Sequence, residues 1–562
     1  AAWDQRILQR DEEDKVHSST DPSKQTLHLP PRNPYIPSRL LRHIRNAEGG
    51  DKENVASTQD KHGDDDGRVA KRLRPDAAES GEQVTEELDV RPVPEMLAED
   101  IMLAWARPSN VQRPKACLYI SLAAAKASTQ SFEEVVFLDL LLVCLVDLST
   151  ELAYMAEMAE LHSEVLDFQG SALVLRVEGF SDQICTLMRD LIRPLFSNIS
   201  HSGSGNIFGK DRLIRCAELL RERYANIDLT SSQLVRQILS AVTVSTRYLA
   251  KDKHVILQSL AAKTPEELNN RLQQWRLGLQ VRCLAYGDVQ AEEVKALLAE
   301  EIVKPLNKSS ISASKSNGNA EASLLLSPLL KVNILPERTV RILHARPRST
   351  KEKNAAVMCS FCLGPYDTKA ALALYLLELL LVEPFFDELR TKQQLGYEVS
   401  CRTDEVQQQL SLGLKVVSSK ASAAELLRRI LHFIAADLPS LLQAAAGKGE
   451  LRSKYLVSLQ QSLEQPALTL REAAGRYWVR ILDSSLAFDR REAEKSMSRQ
   501  WLLEEAEGGM SELQLLGMLQ ELAQKALLTQ PRLTVSVASV EVTDQLRDVF
   551  RDQNYNYSIL LQ

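Results

Sequence analysis

The places where this sequence could do chemistry are few, and most of them fail on spacing. A zinc hydrolase needs two neutral histidines plus a carboxylate, with a glutamate base beside the metal-bound water. On a helix the two histidines must lie four apart to share a face. The nine histidines are His17, His28, His43, His62, His162, His201, His254, His344 and His432, and no two are four apart. Neither H-x-x-E-H nor H-E-x-x-H occurs, so no metal ligand is assigned in this chain. Cys359-Ser360-Phe361-Cys362 has C-x-x-C spacing but no second such pair. It falls in a strand-like segment, where side chains three apart point to opposite faces, so it reads as core cysteines. There is no Walker A loop. Gly203-Ser204-Gly205 follows no apolar strand and reads as loop.

A second kind of signal comes from internal repetition. The chain contains one α+β unit of some 220 residues twice over. Phe386-Asp387-Glu388-Leu389-Arg390 lies over Leu152-Ala153-Tyr154-Met155-Ala156, and Leu395-Gly396-Tyr397-Glu398-Val399 over Leu161-His162-Ser163-Glu164-Val165. Where the copies agree, residues are mostly apolar and serve packing. Where they differ in a chemically loaded way, the second copy has Arg390 for Ala156 and Tyr397 for Ser163. Arginine offers a planar five-donor fork suited to carbonyls and carboxylates. Tyrosine offers a hydroxyl that can stabilise a developing oxyanion, and Gly396 lets backbone approach a ligand closely. The plain alternative is that Arg390 pairs with Glu388 or Glu398 on a surface and that Tyr397 is a strand aromatic.

The elements that must position these residues follow from hydrophobic pattern and punctuation. In the first copy we expect strands at Cys117–Leu122, Ala172–Val177 and Arg282–Tyr286. Helices are expected at Ser131–Leu148 (Ser131 as N-cap, Glu133 and Glu134 in the first turn), Ser181–Leu195, Arg212–Arg223, Ser231–Leu249, Pro265–Gln280 and Ala291–Ile302. In the second copy the expected strands are Ala355–Leu363, Gly396–Arg402, Gln409–Val417 and Leu533–Val540. Its expected helices are Thr368–Val382, another after a break at Glu383-Pro384, then Ala421–Asp437, Gly449–Gln461, Thr469–Leu482 and Ser511–Leu528. Residues 1–30 read as a charged helical end. The four prolines of Leu29–Pro37 imply an extended path.

The expected organisation is a segment 1–45 leading into the first unit, a charged disordered insert at 46–90, a unit at 91–306, a Ser/Asn/Gly-rich linker at 307–324 and a second unit at 325–562. The insert includes Lys71-Arg72-Leu73-Arg74, which reads as a solvated charge run rather than an import patch. The fold class is α+β, with two homologous domains, each a mostly antiparallel sheet packed with helices.

Composition bounds the rest. The chain has 562 residues, 44% hydrophobic and 25% charged, with net charge −7. That is ordinary globular composition, and it argues against nucleic acid as a partner. The longest apolar run, around Ala370–Val382, carries Glu378 and is too short for a bilayer, so no membrane association is expected. Eight cysteines are too sparse for a disulfide scaffold, and their apolar surroundings suggest a reducing, cytoplasmic setting.

The segment Pro384-Phe385-Phe386-Asp387-Glu388-Leu389-Arg390-Thr391-Lys392-Gln393-Gln394-Leu395-Gly396-Tyr397 closely resembles the F-x-x-L-R-T-K-x-Q-L-G-Y segment of insulysin-like (insulin-degrading-enzyme-like) zinc metallopeptidases of the pitrilysin family. Other pieces are similar and in the same order: Asn33-Pro34-Tyr35-Ile36-Pro37, Arg113-Pro114-Lys115-Ala116, Tyr154 to Leu161, Tyr286-Gly287-Asp288-Val289 and Phe488-Asp489-Arg490. The resemblance covers nearly the whole chain apart from the insert and the linker.

What the resemblance implies is a C-terminal half. Such enzymes have four homologous domains in two halves that close around a chamber, with zinc and an inverted H-x-x-E-H in the first domain. This chain would supply the third and fourth domains, half of a clamshell, with the zinc in the missing half. Arg390 and Tyr397 would bind substrate carbonyls and stabilise the tetrahedral intermediate, and Phe386 would neighbour the bound peptide. The implied partners are peptide substrates, an N-terminal catalytic half in cis or trans, and a second copy in a homo-oligomer. The chain alone is expected to be inactive. The alternative is a stand-alone non-catalytic subunit or pseudo-peptidase that binds peptides or a partner.

Overall fold

The computed structural model describes residues 33–37, 89–108, 114–124, 127–196, 206–227, 230–306, 326–334, 339–347, 349–524, 527, 532–538, 546 and 556–561. The helical reading of 1–30, nearly all of the charged insert and the linker at 307–324 lie outside these residues.

The first unit runs β1 (Val93–Ala98), β2 (Ile101–Ala106), β3 (Lys115–Ala123), α1 (Phe132–Glu157), β4 (His162–Phe168), β5 (Ala172–Phe180), α2 (Ile184–Phe196), α3 (Lys210–Asn226), α4 (Ser231–Thr243), α5 (Ala250–Ala261), α6 (Pro265–Arg276), β6 (Gln280–Gly287) and α7 (Ala291–Leu298). The second runs β7 (Thr339–Ala345), β8 (Ala355–Pro365), α8 (Thr368–Phe386), β9 (Glu398–Val406), β10 (Gln409–Ser418), α9 (Ala423–His432), α10 (Leu438–Gly447), α11 (Val457–Glu464), α12 (Leu470–Leu482), α13 (Arg490–Leu502), α14 (Glu512–Leu522), β11 (Arg532–Val537) and β12 (Asn556–Leu561).

The two sheets have the same plan. Their strand orders are β1-β2-β6-β3-β5-β4 and β12-β7-β11-β8-β10-β9. In both, a parallel pair (β2 with β6, β7 with β11) continues into three antiparallel pairings. The copies differ at one edge: β1 joins β2 antiparallel, whereas β12 joins β7 parallel. Each sheet packs one face on its own helices, giving two large apolar cores.

The other faces are covered by exchange. Helix α12 of the second unit lays Tyr477, Trp478, Ile481 and Leu482 on Met102, Tyr119, Leu284 and Tyr286 of the first sheet. Trp478 meets Tyr119 edge-on at 5.6 Å between ring centroids. Helix α4 of the first unit lays Leu234, Val235 and Ile238 on Leu343, Ala356, Val417 and Val535 of the second sheet. Each unit thus completes the burial of its neighbour.

Several expectations need correction. Ser231–Leu249 is not one helix: α4 stops at Thr243, because Val244 pairs with Val332 in an isolated bridge. The chain does not break at Glu383-Pro384. Helix α8 runs through Pro384 to Phe386 and passes into a single π turn, Asp387–Lys392. Asn33–Ile36 is a turn rather than an extended path, because the Asn33 side chain accepts from Tyr35 N and the Asn33 carbonyl accepts from Ile36 N, with Pro34 fixing φ at the second turn position. Buried Tyr35 then donates to Asp190 at 2.9 Å. The helix expected at Ala421–Asp437 extends to Gly447 through an intervening π turn. By length and composition, this 25-residue stretch is long and apolar enough to cross a membrane. Its apolar stripe, including Leu426, Leu427, Ile430, Phe433 and Leu438, is spent in the second core.

Candidate functional site

The candidate residues sit where α8 hands over to β9. Leu389, fully buried, pins the inner side of the π turn and leaves Arg390 on the outside. Leu395 N donates to Leu389 O at 3.0 Å, closing the loop back on the helix. Ser418 Oγ of β10 donates to Leu395 O, and Gln394 takes φ +51°. Gly396 is forced by packing: a Cβ there would lie 1.7 Å from Val417 O. The glycine therefore admits the β10 backbone, not a ligand, which corrects the sequence expectation.

Arg390 is exposed, and its guanidinium carbon stands 4.6 Å from the centroid of the Phe386 ring. Phe386 is 38% exposed and Tyr397 65%. Tyr397 precedes β9 rather than lying in it, and it makes no hydrogen bond or ring contact with the other two. Among the described residues Arg390 has no ion pair, so the pairing with Glu388 or Glu398 does not occur. Glu388 accepts from Gln393 at 2.9 Å and Lys392 at 3.2 Å, and these bonds hold its carboxyl below the ordinary value. Glu398 is held by buried Lys415 and by Arg236 at 3.1 Å. Burial pushes Glu398 up, but bonds from Lys415 and Ser232 and the nearby positive charges outweigh it and leave the carboxyl below normal. Burial also wins at Lys415, whose ammonium is lowered. The arrangement leaves one uncommitted guanidinium and one uncommitted phenol on the same connection, with an aromatic plate beside the guanidinium.

Sequence reasoning missed the Lys415–Glu398–Arg236 set, which fixes the start of β9. Alternation along β10 places Lys415 on the face opposite Leu414 and Val416, which was the available signal. Cys359 faces the second core and Cys362 the opposite face, as expected for a strand. Among the described residues no three His, Cys, Asp or Glu side chains form a group that could hold a metal ion.

Comparison with known proteins places the chain. Residues 69–255 match the family described as the middle or third domain of peptidase M16. Residues 376–478 match the PQQ synthase PqqF-like C-terminal lobe domain 4. A nardilysin-like protein of Arabidopsis thaliana is 24% identical over 422 residues, covering 72% of this chain and 37% of that protein. Nardilysin of Mus musculus is 23% identical over 402 residues (70% and 32%). Insulin-degrading enzyme of Drosophila melanogaster is 21% identical over 417 residues (71% and 38%). The chain thus spans about a third of the length of these curated relatives. Among solved structures, pitrilysin aligns with TM-score 0.65 at 16% identity, covering 84% of this chain and 45% of that one. A peptidase M16 inactive domain from Pseudomonas fluorescens aligns with TM-score 0.55 at 14% identity over 80% of this chain and 98% of its own. At these identities the structural likeness shows the fold, and with the sequence matches the conclusion is that the chain is similar to the C-terminal half of M16 (pitrilysin) peptidases.

Proposed function

We propose that this chain is the zinc-free half of a peptide-degrading metalloendopeptidase, forming half of a clamshell chamber and completing a catalytic half in cis or in trans. The observation that carries the reading is the uncommitted Arg390 on Phe386, with exposed Tyr397 on the same connection. A guanidinium that keeps its charge at any physiological pH and has no carboxylate to neutralise it is a ready donor to a peptide carbonyl. The Tyr397 hydroxyl donates to the same class of oxygen as charge develops on it. Phe386 offers an apolar surface to a peptide side chain and holds the guanidinium plane. Zinc bound in the other half would supply the activated water. This chain's residues bind, orient and stabilise.

The test is reconstitution. The chain is mixed with a separately produced N-terminal half, and turnover of a fluorogenic peptide is followed. We expect activity only in the mixture, and its loss in the Arg390→Ala and Tyr397→Phe variants. Undiminished turnover by both variants, or hydrolysis by the chain alone in the presence of chelator, would sink the reading.

A further inference from the structure

Two hollows open side by side on the face of the second sheet that its own helices leave free. The first, about 210 Å3, is apolar, walled by Val242, Val332, Ile334, Cys362, Leu410 and Leu533. The second, about 350 Å3, is cationic, walled by Arg236, Arg247, Arg402 and Lys415, with Asp404. They share Thr243, Ser360, Val406 and Ser411, so they form one trough with two chemically different ends.

Strand alternation builds it. Strand β10 reads Leu410-Ser411-Leu412-Gly413-Leu414-Lys415-Val416. Leu412, Leu414 and Val416 enter the second core, while Ser411, Gly413 and Lys415 line the trough and Leu410, beyond a register shift, edges its apolar end. In register, Gly413 lies between Ser360 and Arg402, and Ser411 between Cys362 and Asp404. Small residues across three neighbouring strands leave room that ordinary strand side chains would fill. A Cβ on Gly413 would already approach Met358 Cε to 3.4 Å.

The charges at the cationic end are not equally free. Lys415 and Arg236 both hold Glu398, and Arg402 Nε lies 3.3 Å from Asp404. Arg247 has no ion pair among the described residues, and its buried Nε has no hydrogen-bond partner. Arginine does not discharge to escape this. A buried donor left unsatisfied is costly until an acceptor arrives.

We propose that the trough binds a peptide segment in which a large apolar side chain sits beside a carboxylate. The side chain fills the apolar end and the carboxylate accepts from Arg247. The inference rests on the peptide-binding reading above but uses none of its residues. The carboxylate comes either from an acidic side chain or from a free C-terminus, and both present the same acceptor.

The test titrates acetyl-Ala-Phe, acetyl-Ala-Phe-amide, acetyl-Phe-Glu-amide and acetyl-Ala-Ala into the full chain by calorimetry. Acetyl-Ala-Phe or acetyl-Phe-Glu-amide should bind at least about tenfold more tightly than the two peptides lacking one feature, and whichever does so names the source. Arg247→Gln should weaken that binding by about tenfold or more with no fall in melting temperature. Ser411→Leu, which fills the trough from strand β10, should weaken it independently. Equal binding of the amide, no binding of any probe, or full binding by both variants overturns the proposal. Arg390→Ala leaves this binding unchanged. Loss of turnover in that variant alongside intact binding by Arg247→Gln would therefore remove this inference and spare the previous one.

Discussion

Arg390 lies over the face of Phe386, four residues earlier on the same helical stretch, and has no other described partner. Within a helix, side chains four apart stack on one face, so the aromatic ring steadies the guanidinium while every donor stays available. The neighbouring carboxylates are occupied elsewhere, Glu388 by Gln393 and Lys392 and Glu398 by Lys415 and Arg236. A cation left unneutralised in that setting supports the role toward a peptide carbonyl proposed for it above.

Arg390→Ala should therefore lower kcat in a reconstituted enzyme by about 100-fold or more, the usual effect of losing a transition-state donor. Its thermal unfolding should change little, because only the exposed stacking on Phe386 is lost, worth about 0.5–1 kcal/mol. Arg390→Lys keeps the charge but not the fork and should restore little. A drop in melting temperature with normal kcat would assign Arg390 to the fold instead.

Gly396→Ala tests the loop's packing. The new methyl would meet Val417 O at 1.7 Å, and backbone cannot rotate away as a flexible side chain can. We expect a destabilisation of about 2–4 kcal/mol, read as a lower urea midpoint with an unchanged slope. Wild-type stability would show that the close approach is not maintained in solution.

Glu405 carries a pH dependence whose sign can be worked out. It receives two bonds from Arg490, both 2.7 Å, and one from Arg480 at 2.9 Å. Burial pushes its carboxyl up, but the arginine bonds and charges outweigh that and hold it below its ordinary value of 4.5. A lowered folded pKa means that its stabilisation is fully present above 4.5 and lost as pH falls through the lower folded value. Glu405→Gln should cost about 3 kcal/mol at pH 7, since it leaves buried Arg490 with Glu494 as its one remaining carboxylate. The gap from wild type should narrow as pH falls below 4.5. A gap independent of pH would mean that packing, not charge, sets the cost.

Trp478→Ala removes a nearly fully buried indole from the first sheet's outer face. A loss of about 3–5 kcal/mol is expected. Hydrogen exchange should quicken in β3 and β6, strands of the other unit. Acceleration confined to α12 would show that the two units are energetically separate.

How legible each element was depends on where its burial comes from. Strands β3 and β5 pack on helices close in sequence, and their patterns were readable. The Ser131 cap was readable too, because the capping box with Glu134 is local. Strands β1 and β2 were missed. Ile101–Ala106 is apolar without alternation because α12, far along the chain, covers its second face. The end of α4 was missed for a similar reason: Val332, the residue that captures Val244, comes from beyond the linker. At the site, comparing the two copies singled out Arg390 and Tyr397. Their freedom from partners could not be read, because Lys415 and Arg236 reach Glu398 from other elements. The trough was written in the large–small alternation of β10, but nothing in one strand shows which neighbours will also be small.

The exchange of α4 and α12 has a consequence during synthesis. Strand β6 closes the first sheet at Gly287, whereas α12 begins at Leu470, about 180 residues later. At 5–20 residues per second a ribosome needs roughly 10–40 s to cover that stretch. For that time Met102, Tyr119, Leu284 and Tyr286 lack their native cover, an apolar surface on a nascent chain that a chaperone can hold. The first unit is born before the second but cannot finish folding until the second arrives.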